Sequence, residues 1–162
     1  DHRDLHSFPT RRSSDLSTRE KLLENLAESL VKLLSVCRNI ANPNAVVYPD
    51  WTVKDVLGHI TFWHESFARN VSDLADDRKP IPLRGTYKEL SQRCAAEFGS
   101  LPMEEIIARL EAAQQVIQKN ILNPRLGLIP YRVGSRDYTP EEHLQVVSDH
   151  IKEHTKDIKN AI

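Results

Sequence analysis

The chain has 162 residues, 40% of them hydrophobic and 28% charged, and 22 Lys+Arg against 23 Asp+Glu leave a formal net charge of −1. This is the composition of one domain with a core of its own. It excludes intrinsic disorder, nucleic-acid binding through bulk positive charge and, since no apolar run nears roughly 18 residues, a membrane-spanning helix. With 5 Gly and 6% aromatic residues it sits poorly with a β-barrel or a Gly-rich nucleotide fold, and two cysteines are too few for a disulfide scaffold, so a reducing cytoplasm is expected.

Residues 1–16, DHRDLHSFPTRRSSDL, show no apolar period and no signal-peptide organisation. They resemble, residue for residue, the translation of a common sequencing-library adapter. They are therefore read as a foreign, disordered extension ahead of a single domain spanning 17–162. The only methionine is Met103, so no start codon is visible and the natural N-terminus is expected to be missing. Arg3, Arg11 and Arg12 cancel Asp1, Asp4 and Asp15, and His2 and His6 drop out as ligands.

Ser17-x-x-Glu20 is a capping box in front of an apolar stripe through Leu22, Leu26, Leu30, Leu33, Cys37 and Ile40, and Asn42-Pro43-Asn44 stops that helix. A loop follows through Tyr48-Pro49-Asp50. Thr52-x-x-Asp55 opens a second helix with Val53, Val56, Ile60, Trp63, Phe67, Val71 and Leu74 on one face, ending at Asp76-Asp77-Arg78-Lys79 and Pro80. A long connection holds a short helix from Thr86 to Phe98. A third main helix starts near Pro102, carries Ile106, Leu110, Ala113, Ile117 and Ile121, and stops at Asn123-Pro124. Val133 to Tyr138 is either a short extended segment or plain loop. Thr139-Pro140-Glu141-Glu142 caps the last helix, with Leu144, Val147, Ile151 and Ile158 inward. No convincing strand pair is seen. The expected fold is an all-α four-helix bundle whose long second connection lets helices two and three run parallel.

Five histidines remain in the domain. His150 and His154 stand at i, i+4, about one turn apart, so both imidazoles can reach one ion. They lie on the side of Val147, Ile151 and Ile158, and an inward imidazole without a partner is costly. An i, i+4 pair also arises on ordinary helices. His59, between Val56, Ile60 and Trp63, adds a third inward histidine from a second helix, and three ligands leave open positions of the kind catalytic sites use. His143 lies two turns from His150 and is read as core, rim or support. His64 is read as a surface residue, and Glu65 and Glu153 as solvated. Cys37 is core, Cys94 is unassigned, and neither is read as a nucleophile. There is no phosphate loop, no GxSxG and no HExxH.

Trp51-Thr52-Val53-Lys54-Asp55-Val56-Leu57-Gly58-His59-Ile60, the segment Leu101 to Leu110, and Tyr138-Thr139-Pro140-Glu141-Glu142 running to His150-x-x-x-His154 together resemble the DinB-like superfamily. The resemblance covers Ser17 to Ile162. It implies an up-down-down-up bundle and a divalent metal ion, zinc or nickel, held by His59, His150 and His154. Relatives include transferases and isomerases that use low-molecular-weight thiols, and the ClbS/DfsB branch that protects against a genotoxin. The expected function is metal-dependent thiol transfer or hydrolysis on a small electrophilic metabolite, with no nucleic-acid or membrane partner, as a monomer or homodimer. His143 and Glu142 are weak candidates for a general base. The alternatives are a non-catalytic small-molecule binding or self-resistance protein, and a bundle whose histidines are structural.

Overall fold

A computed structural model describes the backbone of residues 2–162 and the side chains of residues 18–162. The foreign-segment reading of 1–16 lies outside the described side chains, and the helix expected to open at Ser17 already runs through that residue in the backbone. The helices are α1 (His2–Arg38), α2 (Val53–Ala75), α3 (Tyr87–Phe98), α4 (Met103–Asn120) and α5 (Pro140–Ala161). Three of them start where the sequence reading opens a helix, and each start is a capping box. Thr52, Thr86 and Thr139 each accept from the backbone N–H three residues on, and Asp55, Glu89 and Glu142 each accept from the threonine's own N–H. Pro102 precedes α4 without a side-chain cap.

The apolar stripes meet in one core. Leu26, Leu33, Val53, Val56, Ile106, Leu110, Ile117, Leu144 and Ile158 are all fully buried. Side-chain pairs set the helix directions. Arg19 meets Glu141 and Ser29 meets Ser148, so α1 and α5 run parallel. Glu65 meets Arg109 and Asp77 meets Arg125, so α2 and α4 run parallel. Phe67 stacks on His143 while His59 faces His154, so α2 and α5 are antiparallel. The bundle is therefore up-down-down-up. α3 lies on the connection between α2 and α4, packed so closely that a Cβ on Gly58 would stand 3.1 Å from Phe98 Cβ.

Two features depart from the sequence reading, the loop before α2 and the surroundings of Glu65. The loop before α2 is a small antiparallel hairpin, β1 (Val46–Tyr48) and β2 (Trp51–Thr52), with Asp50 at φ 66 in its turn, a left-handed conformation that Asp tolerates. The stretch before α5 is held by isolated bridges, Ile129 to Tyr138 and Leu83 to Arg132, which tie it to the connection preceding α3. Glu65 is not solvated. It takes two hydrogen bonds from Arg109, which also reaches Glu97 and lies over the Phe98 ring, so one guanidinium joins α2, α3 and α4. Among the described residues no helix is long and apolar enough to cross a membrane.

Candidate metal centre

The antiparallel crossing of α2 and α5 brings residue 59 level with residues 150 and 154. One ligating nitrogen from each of His59, His150 and His154 lies within 4.8 Å of the other two. The convergence expected from the sequence is present, with one amendment. His59 and His154 are half-buried, but His150 is exposed, because α5 turns its side chain to the rim rather than into the core. The cluster thus has a walled side and an open side.

The hairpin supports the walled side. Tyr48 donates its hydroxyl hydrogen to Asp157 Oδ2 at 2.5 Å, so its oxygen is left to accept from His154 Nδ1–H at 3.0 Å. That fixes the His154 tautomer and leaves a lone pair on Nε2, a buried atom with no hydrogen-bond partner. An orphaned acceptor facing two other imidazoles fits a divalent cation, and the Asp157–Tyr48–His154 chain resembles the carboxylate support that histidine ligands usually have. Trp51 packs its edge against His59 at 5.1 Å between ring centres. Sequence reasoning missed Tyr48 and Asp157. The β-branched run Val46-Val47 ahead of Tyr48, with the turn pair Pro49-Asp50, was the signal for the hairpin that carries Tyr48.

Burial, then the neighbouring imidazoles, pushes His59 and His154 down to about 4, so both are neutral at pH 7 and ready to ligate. A cavity of about 300 Å³ opens beside them. Trp63, Tyr87 and Tyr131 form one wall, with Trp63 and Tyr131 stacked at 5.0 Å, and Val146, Val147 and Ile151 of α5 form the other. His64 and His143 close the floor. His64 is a correction to the surface reading. It is 2% exposed and pairs with Gln114 through Nε2 at 2.7 Å, because α2 is covered by α4 as well as by α5. His143 is 3% exposed and stacks on Phe67 at 3.8 Å. Burial pushes both down to about 4. A second cleft of about 140 Å³, between α2 and α3, reaches His59 and Trp63 from the other side and carries Lys54, Asp55 and Ser91. Glu142 is exposed and bound to Arg136, away from the cavity lining. Burial pushes the Cys37 and Cys94 thiols up to about 11 and 12, so neither is a thiolate at neutral pH.

An up-down-down-up bundle with three convergent histidines and an adjoining apolar cavity defines a helical protein able to hold a metal ion beside a small-molecule site. The chain belongs to the mycothiol maleylpyruvate isomerase N-terminal domain family, which matches residues 19–122, and so to the DinB-like superfamily. The match includes His59 and ends before α5. Among solved structures the chain is similar to the mycothiol-dependent maleylpyruvate isomerase, at TM-score 0.69 and 11% identity over 86% of this chain and 60% of that one. A histidine-to-alanine mutant of the same enzyme matches at TM-score 0.69, 11% identity, 89% and 61%. An uncharacterised protein from Escherichia coli UTI89 matches at TM-score 0.67 and 14% identity, over 88% and 91%. The chain therefore spans about three fifths of the isomerase it resembles. No curated protein matches it.

Proposed function

We propose that the chain is a divalent-metal-dependent enzyme that directs a small thiol, or water, onto a small electrophilic molecule. The observation that carries this reading is the convergence of His59, His150 and His154, with the orphaned His154 Nε2 among them. A divalent ion held there, zinc or nickel, supplies Lewis acidity that lowers the pKa of a thiol or water reaching its open side. Tyr48 and Asp157 hold His154 in the ligating tautomer. The aromatic wall excludes water from the electrophile, and the rim at His150 admits the nucleophile. Two cavities meeting at His59 suit a reaction between two molecules. The family's namesake is mycothiol-dependent, which supports a low-molecular-weight thiol as cosubstrate. The relevant species is then the free thiol of that cosubstrate, since both protein thiols are buried and protonated.

A second reading, binding without turnover, is favoured by one observation. No Asp, Glu or Lys lines the larger cavity among the described residues, so no strong general base touches a ligand there. Two measurements separate the readings. Metal analysis of the purified chain is expected to show bound zinc or nickel, lost in His150→Ala and retained in Lys152→Ala. Zinc-dependent consumption of a small thiol by dimethyl maleate is expected in the first reading and absent in the second. A chain that binds no metal at pH 7.5 overturns the metalloenzyme reading.

A further inference from the structure

The charge and shape of the larger cavity bear on which electrophile enters it. Its lining contains no Lys and no Arg among the described residues. The nearby cations lie outside that lining. Arg132 lies 4.4 Å from the centre of the Tyr87 ring and donates through a terminal nitrogen to Gly85 O at 2.9 Å, with its Nε buried and unpartnered. Lys54 donates to Gly99 O, and Arg109 holds Glu65 and Glu97. The floor histidines, His64 and His143, are buried and neutral, so they bring no positive charge. Resting on the function proposed above, we infer that this cavity selects small, uncharged molecules with a flat conjugated body and rejects dicarboxylic acids.

Three arguments support the inference. Within the lining, a carboxylate would find a counter-charge only at an ion held by His59, His150 and His154. The second carboxylate of a diacid such as maleylpyruvate is then stripped of water against Val147, Ile151 and Trp63, a placement with no compensating partner. Trp63 and Tyr131 stack nearly parallel, 13° apart, and with Tyr87 make an aromatic wall against which a conjugated plane packs without needing charge. The volume, about 300 Å³, stands at the lower end for ligand sites and suits a single ring with a short side chain.

The test compares methyl cinnamate with cinnamate and maleate by calorimetric titration of the full chain stripped of metal with a chelator, and zinc affinity is measured separately on the same preparation. The ester is expected to bind at least about tenfold more tightly than either acid. Trp63→Leu is expected to weaken the ester about tenfold. Val146→Arg places a cation at the rim on a residue 42% exposed, where folding is not at stake, and is expected to bring cinnamate up to or above the ester. The inference is overturned if cinnamate or maleate matches the ester on the unmodified chain, or if the ester does not bind. Zinc binding with a preference for maleate removes the selectivity and leaves the metalloenzyme reading. Ester selectivity without zinc binding does the reverse.

Discussion

Tyr48 lies 106 positions from His154 in the chain, yet its hydroxyl holds that imidazole and Asp157 together. Tyr48→Phe removes the hydroxyl and frees the ring to change tautomer. Zinc affinity is expected to fall about 10–100-fold, read by competition with a chromophoric chelator, with Asp157→Asn shifting it in the same direction. Equal affinity in Tyr48→Phe and the unmodified chain would show that the hydroxyl does not position the ligand. The buried His64 and His143 give a stability signature independent of any ion. Their folded pKa, about 4, lies below the unfolded value near 6.5, so between those pH values the unfolded chain binds more protons. Stability is thus full above about pH 6.5 and falls toward pH 4, by up to about 1.4 kcal/mol per pH unit for each histidine. Urea midpoints from pH 7.5 to 5 check the slope, and His143→Phe is expected to flatten it. The residues sequence could find were those with a local signature: an i, i+4 pair, and His59 within an apolar stripe. It could not find Tyr48 and Asp157, whose meeting depends on the tertiary fold. It misplaced His64 because a helix covered on two sides buries residues 140° apart.

The capped helices were legible because each start is written within four residues, as Thr52-x-x-Asp55, Thr86-x-x-Glu89 and Thr139-x-x-Glu142 show. The β1–β2 hairpin was written only faintly, since strands of three and two residues leave no period to count beyond the Val46-Val47 run and the Pro49-Asp50 turn pair. How the elements are joined was equally hidden. Arg19, 7% exposed, donates through Nε to Glu141 at 2.8 Å and through a terminal nitrogen to the carbonyls of Ile121 and Asn123, so α1 completes the C-terminus of α4 and grips the first turn of α5. Arg19→Met leaves those acceptors without a donor. It is expected to cost about 1.5–3 kcal/mol in chemical denaturation, with a double-mutant cycle against Glu141→Gln showing coupling above about 0.5 kcal/mol. A purely additive cycle would assign the loss to packing of the arginine stem. Gly58 is the other joint. Gly58→Val drives a branched side chain onto Phe98, and the expected cost is about 1–3 kcal/mol with α3 displaced.

For the molecule as a whole, the core and the three-histidine cluster are separate sources of stability. Apolar stripes from four helices bury a continuous core, so the protein is expected to fold without an ion, unlike a zinc finger. Zinc at about a hundredfold above its dissociation constant adds about 2.7 kcal/mol, a rise in melting temperature of about 5–10 °C for a domain of this size. His150→Ala is expected to keep the apo melting temperature and lose the increment. An equal increment in the variant would remove His150 from the ligand set. The overall topology was predictable because a long connection between two amphipathic stripes admits a parallel pair, and the ion pairs along the parallel helices bear that out. One consequence concerns detection. The chain has two tryptophans, and both stand at the site, Trp51 against His59 and Trp63 in the cavity wall. Intrinsic fluorescence therefore carries no contribution from a distant indole. Nickel, with its partly filled d shell, is expected to quench it where zinc does not. In Trp51→Phe the remaining emission reads the cavity alone, so arrival of an ion and arrival of an organic ligand register as separate optical events without an attached dye.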